Sequence, residues 1–273
     1  METSGSPAAK EGRMPVLFVG HGSPMNMALS NPFTRSLADL GRSLSRPEAI
    51  MVISAHWLTS GSFVTCTSRP GMIYDFYGFP EELYRVKYEC SGAPAAAQRA
   101  RDLGQGAIRC DQSRGLDHAS YAILRHMFPL ADIPVFEMSL DYSFNDWHPR
   151  PVQYHYNLAK KLRPLRDEGV LVIGSGNMVH NLRLIDFADM NAAPFTWAVD
   201  MDARMRSHLL AGEHRDLIEY RSMGDGVALA IPTLDHYLPM IYALGLQEKG
   251  EPLRFTFEGF QNASISMRCF TIG

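Results

Sequence analysis

The stretch Val16-Leu17-Phe18-Val19-Gly20-His21-Gly22-Ser23-Pro24, VLFVGHGSP, runs four apolar residues into a glycine, a histidine and a turn. So short an apolar run, with no polar alternation, predicts a strand covered on both faces. The imidazole would then stand where the strand leaves the core. Four more runs read the same way: Ala49 to Ala55, Ser62 to Thr67, Ile133 to Leu140 and Val170 to Gly174. Helical patterns lie between and after them, at Asn31 to Leu44, Pro94 to Leu103, His118 to Met127, Pro151 to Leu165, Ala193 to Leu210 and Asp235 to Leu244. This alternation predicts an α/β fold, a single domain with a central, mostly parallel mixed sheet flanked by helices. Leu253 to Phe257 and Ala263 to Thr271 alternate apolar with polar residues and suit a closing antiparallel pair at the sheet edge.

At 273 residues the chain is long enough for a core that folds without metal or disulfide. A metal, if bound, would serve chemistry. The net charge of -3 gives no electrostatic reason for nucleic acid or an anionic membrane as partner, so a small molecule is the expected substrate. No apolar run approaches the roughly 20 residues of a membrane helix. Cys66, Cys90, Cys110 and Cys269 are scattered without CxxC spacing, which predicts reduced thiols in a cytoplasmic protein. Residues 1–13 read as a disordered leader, and 14–273 as the catalytic domain.

The placement of the histidines points to function. His21, His56 and His180 each follow an apolar strand, and ligands of open α/β sheets bind at the carboxyl ends of the strands. Leu116-Asp117-His118 and Leu234-Asp235-His236 repeat one word, each opening a helical pattern with an aspartate suited to cap it. Neutral imidazoles gather to bind transition metals, and three ligands with open positions make a catalytic site. Surplus histidines would act as acid or base near neutrality. His126, His148, His155, His208 and His214 follow no apolar strand and read as structural or surface residues. Neither Gly22-Ser23-Pro24 nor Gly174-Ser175-Gly176 makes a GxSxG elbow. Gly174-Ser175-Gly176-Asn177 has the small residues of a phosphate cradle but lacks a third glycine or a P-loop lysine.

Six words, GHGSP, SAHW, YDFYGFPEELY, GLDHASY, GSGNMVHNL and PTLDHYLP, run in this order between Val16 and Met240. Together they resemble the class III extradiol ring-cleavage dioxygenases, in particular the 4,5-DOPA dioxygenase-like branch. The resemblance implies an enzyme holding one divalent metal, Zn(2+) or Fe(2+), that uses O2 as co-substrate to open a catechol ring to a semialdehyde. It implies His21, His56 and His236 as metal ligands, His180 as a further ligand or an acid-base group, and His118 as a catalytic residue facing substrate and oxygen. Many class III enzymes have glutamate where this chain has His236, and Asp235 is expected to point elsewhere. Tyr74, Phe76 and Tyr77, with Trp57 beside His56, are expected to wall a flat aromatic substrate. A zinc-dependent hydrolase or a non-enzymatic metal-binding protein on the same fold are the alternatives. The expected assembly is a monomer or small homo-oligomer.

Overall fold

The computed structural model describes residues 12–143, 148–149 and 151–273. In chain order the principal elements are β1 (Val16–Gly20), α1 (Pro32–Ser43), β2 (Ala49–Thr59), β3 (Ser62–Thr65), α2 (Pro94–Gly104), β4 (Ile108–Asp111), α3 (His118–Met127), β5 (Val135–Ser143), β6 (His148–Pro149), α4 (Val152–Lys161), α5 (Pro164–Asp167) and β7 (Val170–Gly176). They continue with α6 (Thr196–Ala211), α7 (His214–Ile218), α8 (Val227–Ala230), α9 (Leu238–Leu246), β8 (Leu253–Phe257), β9 (Phe260–Gln261), β10 (Ile265–Ser266) and β11 (Cys269–Ile272).

The main sheet runs β4-β3-β5-β2-β7-β1-β11-β8, with β6 beside β5. Its centre is parallel: β1 pairs with β7, β7 with β2, and β2 with β5. The edge β11-β8 is antiparallel, so the expected closing pair is present. Ala263 to Thr271 is not one strand, however. Ile265–Ser266 turns away to pair with Phe260–Gln261, and only Cys269–Ile272 joins the main sheet.

Every residue of VLFVG is buried because the sheet is covered on both faces. Val16 and Phe18 face one core with helices α2, α4, α6 and α9; Leu17 and Val19 face the other with α1 and α3. Among the described residues no helix is long and apolar enough to cross a membrane.

Two local expectations change. Pro164 splits the expected helix Pro151 to Leu165 into α4 and α5, since its ring cannot continue the hydrogen-bonded ladder. The four thiols are not all free: Cys66 and Cys110, with Cα atoms 5.8 Å apart, are joined as a disulfide, while Cys90 and Cys269 stay free and buried. The pairing follows from the parallel neighbours β3 and β4, which continue into a bond from Cys66 N to Asp111 O. Most of the expected leader lies outside the described residues. Arg13, near its end, pairs with Asp167 at 3.2 Å and Glu248 at 2.6 Å.

A cluster of five histidines at the strand ends

The carboxyl ends of the parallel strands, and the segments beyond them, bring His21, His56, His118, His180 and His236 into one cluster. His21 directly follows β1 and is held there by a bond from its backbone N–H to Gly176 O. His56 does not follow β2, as its sequence position suggested; it lies within it. The ladder to β5 is broken between Ile53 and Leu58, and such an irregularity frees a side chain to aim at a site. His118 is the first residue of α3, and Asp117 caps that helix by accepting the N–H of Ala119. His180 follows β7 by four residues and bonds Ala230 O through its backbone N–H.

His236 arrives differently. The expected helix start at Asp235 is absent: residues 234–237 form turns and α9 begins at Leu238. Asp235 therefore caps nothing. It turns back onto its neighbour, its Oδ2 within 2.5 Å of His236 Nδ1, contrary to the expectation that it points elsewhere.

The rings of His21, His56 and His236 form a nearly equilateral triangle, with centres 5.1, 5.3 and 5.0 Å apart. Three imidazoles ligating one ion at about 2.0–2.1 Å place their ring centres roughly 5 Å apart. His118 lies 4.1 Å from His56 and 5.6 Å from His21, ring to ring, and offers a nitrogen within 4.8 Å of those of His21 and His56. His180 stacks flat on His236, 3.6 Å away and only 8° from parallel.

Hydrogen-bond partners fix which nitrogen each ring presents. Ser175 Oγ donates to Ala119 O at 2.7 Å, so it can only accept from His21 Nδ1, 3.0 Å away. His21 Nε2 then carries a lone pair. His56 Nδ1 lies 3.2 Å from Asp75 Oδ2, leaving its Nε2 unprotonated in the neutral ring. These two Nε2 atoms face each other at 3.2 Å. Nitrogens this close share either a proton or a metal ion, and nitrogens sharing one tetrahedral ion stand roughly 3.3 Å apart. The donor set thus fits a divalent metal.

Burial favours the neutral form in four of the five imidazoles. Burial, then the neighbouring histidines, hold His21 well below its ordinary value, and burial does the same for His180. His118 and His236 are lowered by burial despite their aspartates. For His56, burial is outweighed by the Asp75 bond and the charges of Asp117 and Asp235, and the net shift is upward. Asp75 and Asp235 are held well below the usual carboxylate range by the imidazoles they face, against the opposing effect of burial.

Behind the cluster lies a buried polar network. Ser54 Oγ donates to Asp117 and accepts the N–H of His56, and Arg114 pairs with Asp117 at 2.8 Å. Glu137 accepts the N–H of Asp117 and the hydroxyl of Ser120; burial first, then the charge of Asp117, raises its carboxyl well above the usual range. Of the aromatics proposed as a substrate wall, Phe76 stands edge-on to His118 at 5.6 Å. Tyr74 is tied by its hydroxyl to Val86 O, and Tyr77 is 91% exposed. Trp57 is buried with the Arg114 guanidinium 5.1 Å over its ring.

The glycines of Gly174-Ser175-Gly176 lie inside β7, and no helix N-terminus follows them, so the phosphate cradle is not formed. They serve close packing: a Cβ on Gly174 would meet Pro239 O at 2.3 Å, and one on Gly176 would meet His236 O at 2.2 Å. Elsewhere His126 bonds Asn26 O, His155 is buried against Tyr242, and His208 and His214 sit on surface partners, while the side chain of His148 lies outside the described residues.

Residues 16–266 match the profile of the catalytic LigB subunit of aromatic ring-opening dioxygenase. The chain is 41% identical over 266 residues to the 4,5-DOPA dioxygenase extradiol of Escherichia coli K12, covering 96% of this chain and 95% of that one. It is 35% identical over 253 residues to the protein of the same name from Beta vulgaris, covering 89% and 91%. A solved structure of an uncharacterized protein from Escherichia coli K12 superposes with a TM-score of 0.82 at 37% identity, covering 96% of this chain and all of that one.

Proposed function

Because the chain belongs to the LigB family of aromatic ring-opening dioxygenases, we propose that its histidine cluster is the metal centre of an extradiol dioxygenase that opens a catechol ring, with L-DOPA or a related catechol as substrate. The observation that carries this reading is the triangle of His21, His56 and His236 rings with centres 5.0 to 5.3 Å apart, in which the Nε2 atoms of His21 and His56 face each other at 3.2 Å. These three residues would hold one divalent metal. When bound there, the metal supplies Lewis acidity to the two catechol oxygens and a place for O2, and since zinc has no redox chemistry the oxygenase takes iron(II) as its active metal.

His180 is assigned to proton transfer. His180 stacks flat on His236 with ring centres 3.6 Å apart, so the two rings face each other rather than a common point, and a His180 nitrogen would be free to take a catechol proton while His21, His56 and His236 would hold the metal. His118 keeps Nδ1 on Asp75, so its Nε2 faces the cluster and can bond the reacting oxygens. Phe76, edge-on to His118, gives the aromatic substrate an apolar wall. The product is a ring-opened muconic semialdehyde.

The test is purified protein, stripped and reloaded separately with iron(II) and zinc, given L-DOPA with and without oxygen. Stoichiometric oxygen uptake with a yellow product in the iron form alone is expected. Turnover without oxygen would make the protein a hydrolase, and no turnover of any catechol by the iron form would reject the reading.

A further inference from the structure

Asp75 lies between Tyr74 and Phe76 in the chain, and its carboxylate reaches two rings of the cluster. Oδ1 accepts the backbone N–H of His118 at 3.0 Å and lies 2.9 Å from His118 Nδ1; Oδ2 lies 3.2 Å from His56 Nδ1. A carboxylate can only accept, so the Nδ1 atoms that face it carry protons, and in the neutral rings both Nε2 atoms are bare. The side chain is half-buried on the loop between β3 and α2, and the rings of Phe76 and Tyr84 beside it lie 5.0 Å apart, tilted by 37°.

We propose that Asp75 is a positioning residue that sets the tautomers of His56 and His118 together, so that both neutral rings present a bare Nε2 to a metal ion. The inference rests on the metal-centre reading above. It also assigns the consequence of a change of one atom. In Asp75→Asn the amide oxygen must stay on His118, because the backbone N–H there cannot become an acceptor. The amide NH2 then faces His56 Nδ1 and donates to it. His56 moves its proton to Nε2 and donates to His21 Nε2, 3.2 Å away, so a hydrogen bond occupies the place of the ion. The variant stays internally satisfied and folded, but must break this bond to bind metal.

The experiment compares the metal-free protein with Asp75→Asn by NMR of the histidine ring nitrogens in alkaline buffer, where imidazoles are neutral. Calorimetric titration with zinc and iron(II) follows. Expected are Nδ1–H tautomers for His56 and His118 in the native chain, an Nε2–H tautomer for His56 in Asp75→Asn, and metal affinity lower by about 10- to 100-fold. An unchanged His56 tautomer or unchanged metal affinity in Asp75→Asn overturns the proposal. So does an Nε2–H tautomer at His56 or His118 in the native chain, a result that needs no variant to fold. If tautomers and affinity behave as expected while the iron-loaded native protein consumes no oxygen with any catechol, the dioxygenase reading fails and the role of Asp75 stands.

Discussion

Ser175 Oγ sits between His21 Nδ1 at 3.0 Å and Ala119 O at 2.7 Å, and its own donation to the carbonyl decides which nitrogen of His21 is protonated. A residue of β7 thereby sets the chemistry of one that follows β1. Ser175→Ala removes the acceptor and leaves a buried N–H unpaired, which costs about 1–3 kcal/mol. We expect a lower melting temperature and metal affinity reduced about tenfold, measured by thermal unfolding and calorimetric titration. Native-like metal affinity in Ser175→Ala would show that the His21 tautomer is fixed by something else.

On the proposed reading, the parallel stack of His180 on His236 sets a ligand beside an acid-base group. His236→Ala should abolish metal binding. His180→Ala should keep one metal per chain and lose about 10²–10⁴-fold in kcat, with one limb of the pH-rate profile gone. Metal content by mass spectrometry beside oxygen-uptake kinetics distinguishes the two, and metal loss in His180→Ala would make His180 a ligand.

Acid should loosen the metal-free protein. The native values of His21, His118, His180 and His236 lie below the ordinary imidazole value of about 6.5, so in that window the unfolded chain binds more protons than the native one. Stability is complete above pH about 6.5 and is lost as pH falls below it, by up to about 1.4 kcal/mol per pH unit for each histidine that stays neutral. His56, shifted upward, acts in the opposite sense but alone. Urea unfolding across a pH series checks this, and equal stability on both sides of that value would contradict it. Metal should raise stability at neutral pH and lose its effect in acid, since its ligands must be unprotonated.

Gly176→Ala tests the packing beneath His236. The new Cβ would fall 2.2 Å from His236 O, which also accepts the N–H of Asn177 at 2.9 Å. We expect a loss of about 1–3 kcal/mol with weakened metal binding, whereas Gly71→Ala, where no atom lies within 4 Å, should change neither. Unchanged unfolding and metal affinity in Gly176→Ala would mean that the backbone of residues 234–237 yields freely.

The strands and the five histidines were legible because both are local signals: an apolar run marks a buried strand, and a polar residue at its end marks a rim. Contacts made across the fold left no such mark. Asp75 meets His118 across 43 positions and Ser175 meets His21 across 154, and nothing near either residue announces its partner. Tyr74, Asp75, Phe76 and Tyr77 look alike as a loop wall, but one carboxylate and one ring turn to the cluster while Tyr77 is 91% exposed. Asp235 misled because the same Leu-Asp-His word caps a helix at Asp117 and enters a turn at Asp235, where Pro239 in the first turn of α9 lets the helix start later.

The five rings are drawn from segments as distant along the chain as residues 21 and 236, so no fragment of the protein holds the cluster. The rings meet only after chain segments this far apart close on one another, so a metal held by them would bind the folded domain. Its binding energy is then shared by the whole domain and by no single element, and an ion retained through purification reports that every strand end has reached its place.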